Sequence, residues 1–204
     1  MAAFRDRAAK VVPGPFVWID ECGVHTSMTP LRARAPRAER ADGSVPRNRG
    51  KNTALLASMT LAGAMGECMT VEGSTKAFVF EAYVERFLAP SLRPGQIVVM
   101  DNLGAHKTDR VRELIEGRGC ELWFLPAYSP DLNPIEGAFS KVKARLRKAS
   151  ARTREALVEA MGEALSSVTP RDAEGWFAHC GYGSGDQELH EHRGQTSCSR
   201  TARS

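Results

Sequence analysis

A chain of 204 residues is long enough for one domain with a sizeable core. Its 42% hydrophobic and 25% charged residues are those of an ordinary globular protein, which excludes fibrous and wholly disordered classes. No apolar run approaches the ~20 residues that span a bilayer, and residues 1–15 lack the apolar centre of a signal peptide, so a cytoplasmic location without a membrane partner is expected.

Net charge is +4, but the cations are clustered. Between Pro30 and Lys51, Arg32, Arg34, Arg37, Arg40, Arg47, Arg49 and Lys51 face only Glu39 and Asp42. Between Lys141 and Arg154, Lys141, Lys143, Arg145, Arg147, Lys148, Arg152 and Arg154 face no acid. Two such blocks suit a polyanion, although charge runs are also ordinary solvated surface. Five cysteines, none in a CxxC pair, argue for reduced structural thiols over a disulfide framework or a zinc site.

In chain order, FVWID (16–20) is an apolar run closed by a carboxylate and reads as a buried strand, with GVHTSMT (23–29) a candidate hairpin partner. Residues 30–51 read as a long basic loop with room for a short strand. NTALLASMTLAG (52–63) and ECMTVEG (67–73) are two further strands, joined by a turn at Gly63–Gly66. The period then changes. Phe80, Tyr83, Val84, Phe87 and Leu88 share one helical face over 75–89, ended by Pro90 and Pro94. QIVVMD (96–101) is a second apolar run closed by a carboxylate. A helix with Val111, Leu114 and Ile115 inward follows and stops near Gly117–Gly119, and CELWFL (120–125) is another strand. Beyond Pro126 the chain turns helical. Asn133-Pro134 reads as N-cap and first helical residue of a helix to about Ala149; Thr153 and Thr169 start two more. After Tyr182 only Leu189 is aliphatic, so residues 183–204 are expected to be a disordered tail. Strands, helix, strand, helix, strand, helices define a mixed α/β sheet with helices packed on it.

Three carboxylates carry the candidate chemistry. Asp20 and Asp101 close apolar strands, where ligand sites of open α/β sheets lie and where an unpaired charge is costly to bury; an Asp after a strand also often only begins a turn. Glu136 sits three residues after Asn133, where a Glu can cap the helix and favour its dipole, and helix chemistry alone favours that role. Together, three hard oxygen donors suit Mg²⁺ or Mn²⁺, and two such ions would clamp an in-line phosphoryl displacement.

The blocks WIDECGVH (18–25), PRNRGKNTALLASMT (46–60), VVMDNLGAHK (98–107), LPAYSPDLNPIEGAFSKVK (125–143) and TPRDAEGWFAHCGY (169–182) resemble the catalytic domain of DDE transposases of the Tc/mariner superfamily, insertion-sequence-630 type. The 34 residues between Asp101 and Glu136 fit that family's spacing. The resemblance implies a ribonuclease H-like fold with a mixed five-stranded sheet flanked by helices. It puts Asp20, Asp101 and Glu136 in the catalytic, metal-holding positions. It implies DNA cleavage and strand transfer with two Mg²⁺ or Mn²⁺ ions, insertion at TA dinucleotides and no covalent intermediate. The chain is expected to divide into an N-terminal extension (1–14), the catalytic domain (15–182) and the tail (183–204).

Asn102 and His106, in the matched DNLGAH block, and His25, five residues after Asp20, are accessory candidates beside plain turn or capping roles. Glu21 is expected on the opposite strand face from Asp20, although as the residue after the strand it could also turn toward the site; Asp131 is expected in a turn, Trp123 in the core, and Tyr128 where it could stack on bases. Arg47, Arg49, Lys51, Lys107, Lys141, Lys143 and Arg147 are the candidate DNA contacts, only some of which can face DNA at once.

Relatives carry helix-turn-helix modules ahead of this domain that read transposon ends. Fifteen residues precede the first strand here, so end recognition is expected to come from elsewhere, such as an upstream-frame helix-turn-helix product, and the active complex to be a homodimer. Gly137 departs from the pattern, since a larger, better helix-forming residue is expected there. Two other classes fit the same residues: a catalytically idle fragment that only binds DNA or regulates, and a cellular ribonuclease H-type nuclease.

Overall fold

The computed structural model describes residues 2–183, save 33, 44, 48, 49 and 63. Five strands form one sheet: β1 (Phe16–Val24), β2 (Thr53–Thr60), β3 (Ala64–Glu72), β4 (Ile97–Met100) and β5 (Glu121–Phe124). Their order is β3-β2-β1-β4-β5. β1, β2 and β3 pair antiparallel, whereas β4 lies parallel to both β1 and β5.

β1 is longer than its sequence suggests. The polar residues Glu21 and Gly23 do not end it, because β2 pairs along its whole length, from Val17↔Thr60 to Val24↔Thr53. Asp20 is therefore within a strand and not at its end. Residues 23–29 are no hairpin partner of β1; 23 and 24 belong to it, and β2 is the partner. Among the described residues of 25–52 there is no strand, and Arg152 tacks down the start of this loop by donating to the carbonyls of Thr26 (3.0 Å) and Met28 (3.1 Å). Gly66 lies inside β3 and not in the preceding turn.

Alternation along the strands divides the core in two. Phe16, Trp18, Cys22 and Val24 face a layer made by α1 (Ala2–Ala8), α5 (Ile135–Ala149), α6 (Arg154–Ser166) and α7 (Pro170–His179). Val17 and Ile19 face α2 (Ala77–Tyr83) and α4 (Asp109–Glu116). Trp18, Phe16, Phe139 and Phe177 are fully buried on the first side; each such side chain contributes about 1.5–3 kcal/mol on burial.

α2 does not stop before Pro90. It widens into a π-helical turn over Val84–Leu88 and ends as α3 (Ala89–Ser91). Ala89 N–H bonds back five residues to Val84. Pro90 has no N–H to give and would crowd a regular turn, and the wider turn accommodates it. Phe87 consequently rotates partly outward, to 39% exposure.

The segment read as a mere extension contains α1. Phe4 meets Trp123 edge-on at 6.0 Å, and the Arg7 guanidinium lies 3.6 Å over the Trp123 ring while bonding Glu121 (3.0 Å). α1 thus covers the edge strand β5. Trp123 is buried, as its place mid-strand suggests. Thr153 and Thr169 cap α6 and α7, the latter in a full capping box with Asp172. Of the tail expected over 183–204, all but Gly183 lies outside the described residues.

Candidate active site

The site begins with a mismatch of strand lengths. β1 has nine residues and β4 four. Their parallel ladder pairs Phe16, Val17 and Trp18 with Ile97, Val98 and Val99. Continued, that register sets Asp101 opposite Asp20, but β4 ends at Met100 and the chain turns away. The two carboxylates therefore face each other across the gap where the ladder opens. α5 packs on the same face of β1 as Asp20, and its first turn supplies Glu136. Asp20, Asp101, Asn102, Tyr128, Asn133 and Glu136 line one cleft of about 380 Å³.

Asp20 is buried. One carboxylate oxygen accepts the Glu21 N–H (2.7 Å), the other the Asn133 side-chain N–H (2.8 Å). Burial, followed by the negative charges of Glu136 and Asp101, raises its pKa to about 7 despite the Glu21 bond. Asp101 is partly exposed and its Oδ1 pairs with Nδ1 of His106. The same oxygen accepts the Leu103 N–H (3.3 Å), closing an Asx-type turn. His106 is buried and stacks on Phe80, centroids 4.0 Å apart. A ring fixed in this way holds the Asp101 carboxylate from behind. Asn102 is exposed at the cleft wall.

Asn133 does not cap α5. The helix starts without a side-chain cap, and Pro134 precedes its first residue. Asn133 instead turns its amide to Asp20, 113 residues away, a partner no local helix rule can weigh. Its backbone carbonyl accepts the Glu136 N–H (3.2 Å). Glu136 is exposed on the first turn and free of the capping box its position suggests. Gly137 also has a reason: a Cβ there would lie 2.5–2.7 Å from the Trp176 indole. A larger residue is excluded by α7.

The secondary candidates separate. His25 lies past the end of β1, roughly 16 Å along the chain from Asp20 at ~3.3 Å per residue; it is hydrogen-bonded to Ser27 (2.8 Å) and does not line the cleft. Glu21 does not line it either. Tyr128 is fully exposed at the cleft's lip with φ +56. Lys143 lies two turns along α5 from Glu136, beside Cys22, where its charge opposes without overcoming the burial that pushes that thiol up to about 12. Arg147 follows one turn later, so Glu136, Lys143 and Arg147 share a helix face. Lys141 points elsewhere: its ammonium bonds Asp172 (2.5 Å) and the Ser167 carbonyl (2.9 Å), joining α5 to α7. Lys51 pairs with Glu72 (2.5 Å), and Lys107 lies 5.3 Å from the Phe124 ring centre. Arg47 is exposed in the loop, and Arg49 lies outside the described residues.

A sheet of order 3-2-1-4-5 with an antiparallel meander, a parallel pair and helices on both faces is a ribonuclease H-like fold. The pattern of the DDE superfamily endonucleases matches residues 15–158, and the chain belongs to that family. No curated protein matches it by sequence. Among solved structures it is similar to the Mos1 transposase paired-end complex with left transposon end (TM-score 0.68, 19% identity, 88% of this chain and 56% of that one). It is also similar to the mariner Mos1 paired-end complex with Mn (0.65, 20%, 88% and 58%). A third is the isolated catalytic domain of Mos1 mariner transposase (0.62, 17%, 89% and 85%). The chain spans little more than half of the Mos1 chains in the two complexes. No helix among the described residues is long and apolar enough to cross a membrane.

Proposed function

We propose that this chain is the catalytic domain of an insertion-sequence-630-type DNA transposase, cutting DNA strands and joining them to target DNA by in-line phosphoryl transfer. The observation that carries it is the meeting of Asp20, Asp101 and Glu136, from a strand, the turn after a strand and a helix, in one cleft. The donor set fits a hard divalent cation: three carboxylates with no thiol in the wall. Burial first, and then the negative charges of Glu136 and Asp101, raise the Asp20 pKa, and a cation would offset those charges. Among the described residues no three acidic, His or Cys side chains form a ready-made ion cage; exposed Glu136 is the arm free to close on an ion. The Mos1 complex with Mn supports the same choice of cofactor.

Asp20, Asp101 and Glu136 would hold two Mg²⁺ or Mn²⁺ ions, which when bound supply a polarised water or 3′ hydroxyl and offset charge at the scissile phosphate. His106 holds Asp101 in orientation. Lys143 and Arg147, with Arg47, Lys51 and Lys107 at the margins, would hold the DNA backbone. Transposon ends and target DNA are the substrates, and a homodimer is the active assembly, in a cytoplasmic setting.

The test is nicking of supercoiled plasmid with Mg²⁺ or Mn²⁺. Wild-type protein should nick and Asp101→Asn should not; nicking that persists in Asp101→Asn refutes the site. The basic face of α5 formed by Lys143 and Arg147 would also serve one second reading, a partner that binds DNA without cutting it. DNA binding without metal-dependent nicking by wild-type protein would decide for it.

A further inference from the structure

We infer that Asn133 is a positioning residue that latches the β1 carboxylate to the segment carrying Glu136, and so sets the site's affinity for its cation. The inference rests on the carboxylate-site reading above. Three observations carry it. First, the Asn133 amide nitrogen donates to Asp20 Oδ2 at 2.8 Å while the Glu21 N–H holds Oδ1 at 2.7 Å. Each carboxylate oxygen is thereby pinned by one donor. An ionised carboxylate has about four lone-pair sites, so about two stay open toward the cleft.

Second, the backbone carbonyl of the same residue accepts the Glu136 N–H (3.2 Å). One residue thus joins the Asp20 side chain to the first turn of α5. Third, Asn133 Oδ1 is buried without a hydrogen-bond partner. Turning the amide over would relieve nothing, since it would set Oδ1 against the Asp20 carboxylate. An apolar residue would avoid the orphaned oxygen but leave Asp20 Oδ2 without its donor. The asparagine is therefore explained by the carboxylate it holds and not by its own fit to the core. Partners that orient ligating groups typically govern metal affinity 10–100-fold.

The test uses the full chain with Asn133→Leu, which keeps the branching at Cγ and removes both the donor and the orphaned oxygen, and Asn133→Ala as a second, smaller variant should the larger leucine not fold. Folding is checked by thermal melts without metal. Mn²⁺ binding is measured by calorimetry without DNA, and plasmid nicking is titrated with Mn²⁺. The expected result is Mn²⁺ binding weakened about 10–100-fold, a matching rise in half-saturating Mn²⁺, and maximal nicking within a few-fold of wild type. Variants that bind Mn²⁺ like wild type while losing Tm and maximal nicking together would overturn the inference and leave the transposase reading standing. A wild-type chain that binds no Mn²⁺ and nicks nothing would overturn both.

Discussion

The Trp176 indole occupies the space that a side chain at position 137 would need. A Cβ on Gly137 would meet Cδ1, Cγ and Nε1 of the ring at 2.5, 2.6 and 2.7 Å. Cγ is near the root of the side chain, so the whole residue must move to make room. Gly137→Ala should therefore destabilise the protein by about 1–3 kcal/mol, although alanine gains up to ~1 kcal/mol in helix propensity. Thermal melts check the sign. In a Trp176→Ala background the same substitution should become neutral or stabilising.

Lys141 and Lys143, two residues apart on α5, should behave differently. Lys141→Ala breaks the tie to Asp172 and Ser167 and should lower Tm while leaving DNA affinity unchanged. Lys143→Ala should keep Tm and weaken DNA binding without regard to sequence, with the salt slope reduced by about 1. Titrations at several salt concentrations separate the two. A Lys141→Ala chain that melts normally but binds DNA weakly would reverse the assignment.

The Asp20 carboxyl gives the metal-free protein a pH dependence. Its pKa rises from 3.8 to about 7 on folding, so the folded state holds the proton more tightly. The resulting stability is full below about pH 4 and is lost as pH climbs through 7. In EDTA, raising the pH from 4.5 to 8 should shift the stability difference in favour of Asp20→Asn, by an amount on the order of a few kcal/mol. Melts of both chains across this range check it; parallel curves would show that Asp20 titrates normally.

His106 is held by Phe80 on one side and holds Asp101 on the other. His106→Phe keeps an aromatic ring on Phe80 and removes the N–H. It should stay folded, and nicking at sub-saturating metal should fall about tenfold or more. His106→Ala should lose both Tm and activity, because it also empties the stack. Comparing the two by melt and nicking assay separates support from packing.

Much of the fold lay in local pattern. The period of two in the strands and of three to four in the helices follows from which faces meet the core, and those faces are written in sequence order. Asp20, Asp101 and Glu136 were visible as carboxylates set against apolar runs. Phe80, Tyr83, Val84 and Leu88 share one helical face in the sequence and are buried. Phe87 shares that period and turns partly out, because the turn before Pro90 widens. α1, seven residues long, carries little local signal; Glu121 and Trp123, over a hundred residues on, give it a place.

Position 133 shows the division most clearly. Asparagine before proline is a strong local helix-start signal, and α5 does begin there. Which group the amide serves was decided by a strand 113 residues away. Gly137 likewise reads locally as a weak helix former, and only the approach of α7 explains it. The sequence by itself determined the elements and the types of chemical group available, because backbone preference and hydrophobic period act over a few residues. The tertiary structure alone decided the register that sets Asp101 level with Asp20, the helix that brings Glu136 to them and the partner of Asn133, because hydrogen bonds and close contacts depend on distances in space that sequence separation does not encode.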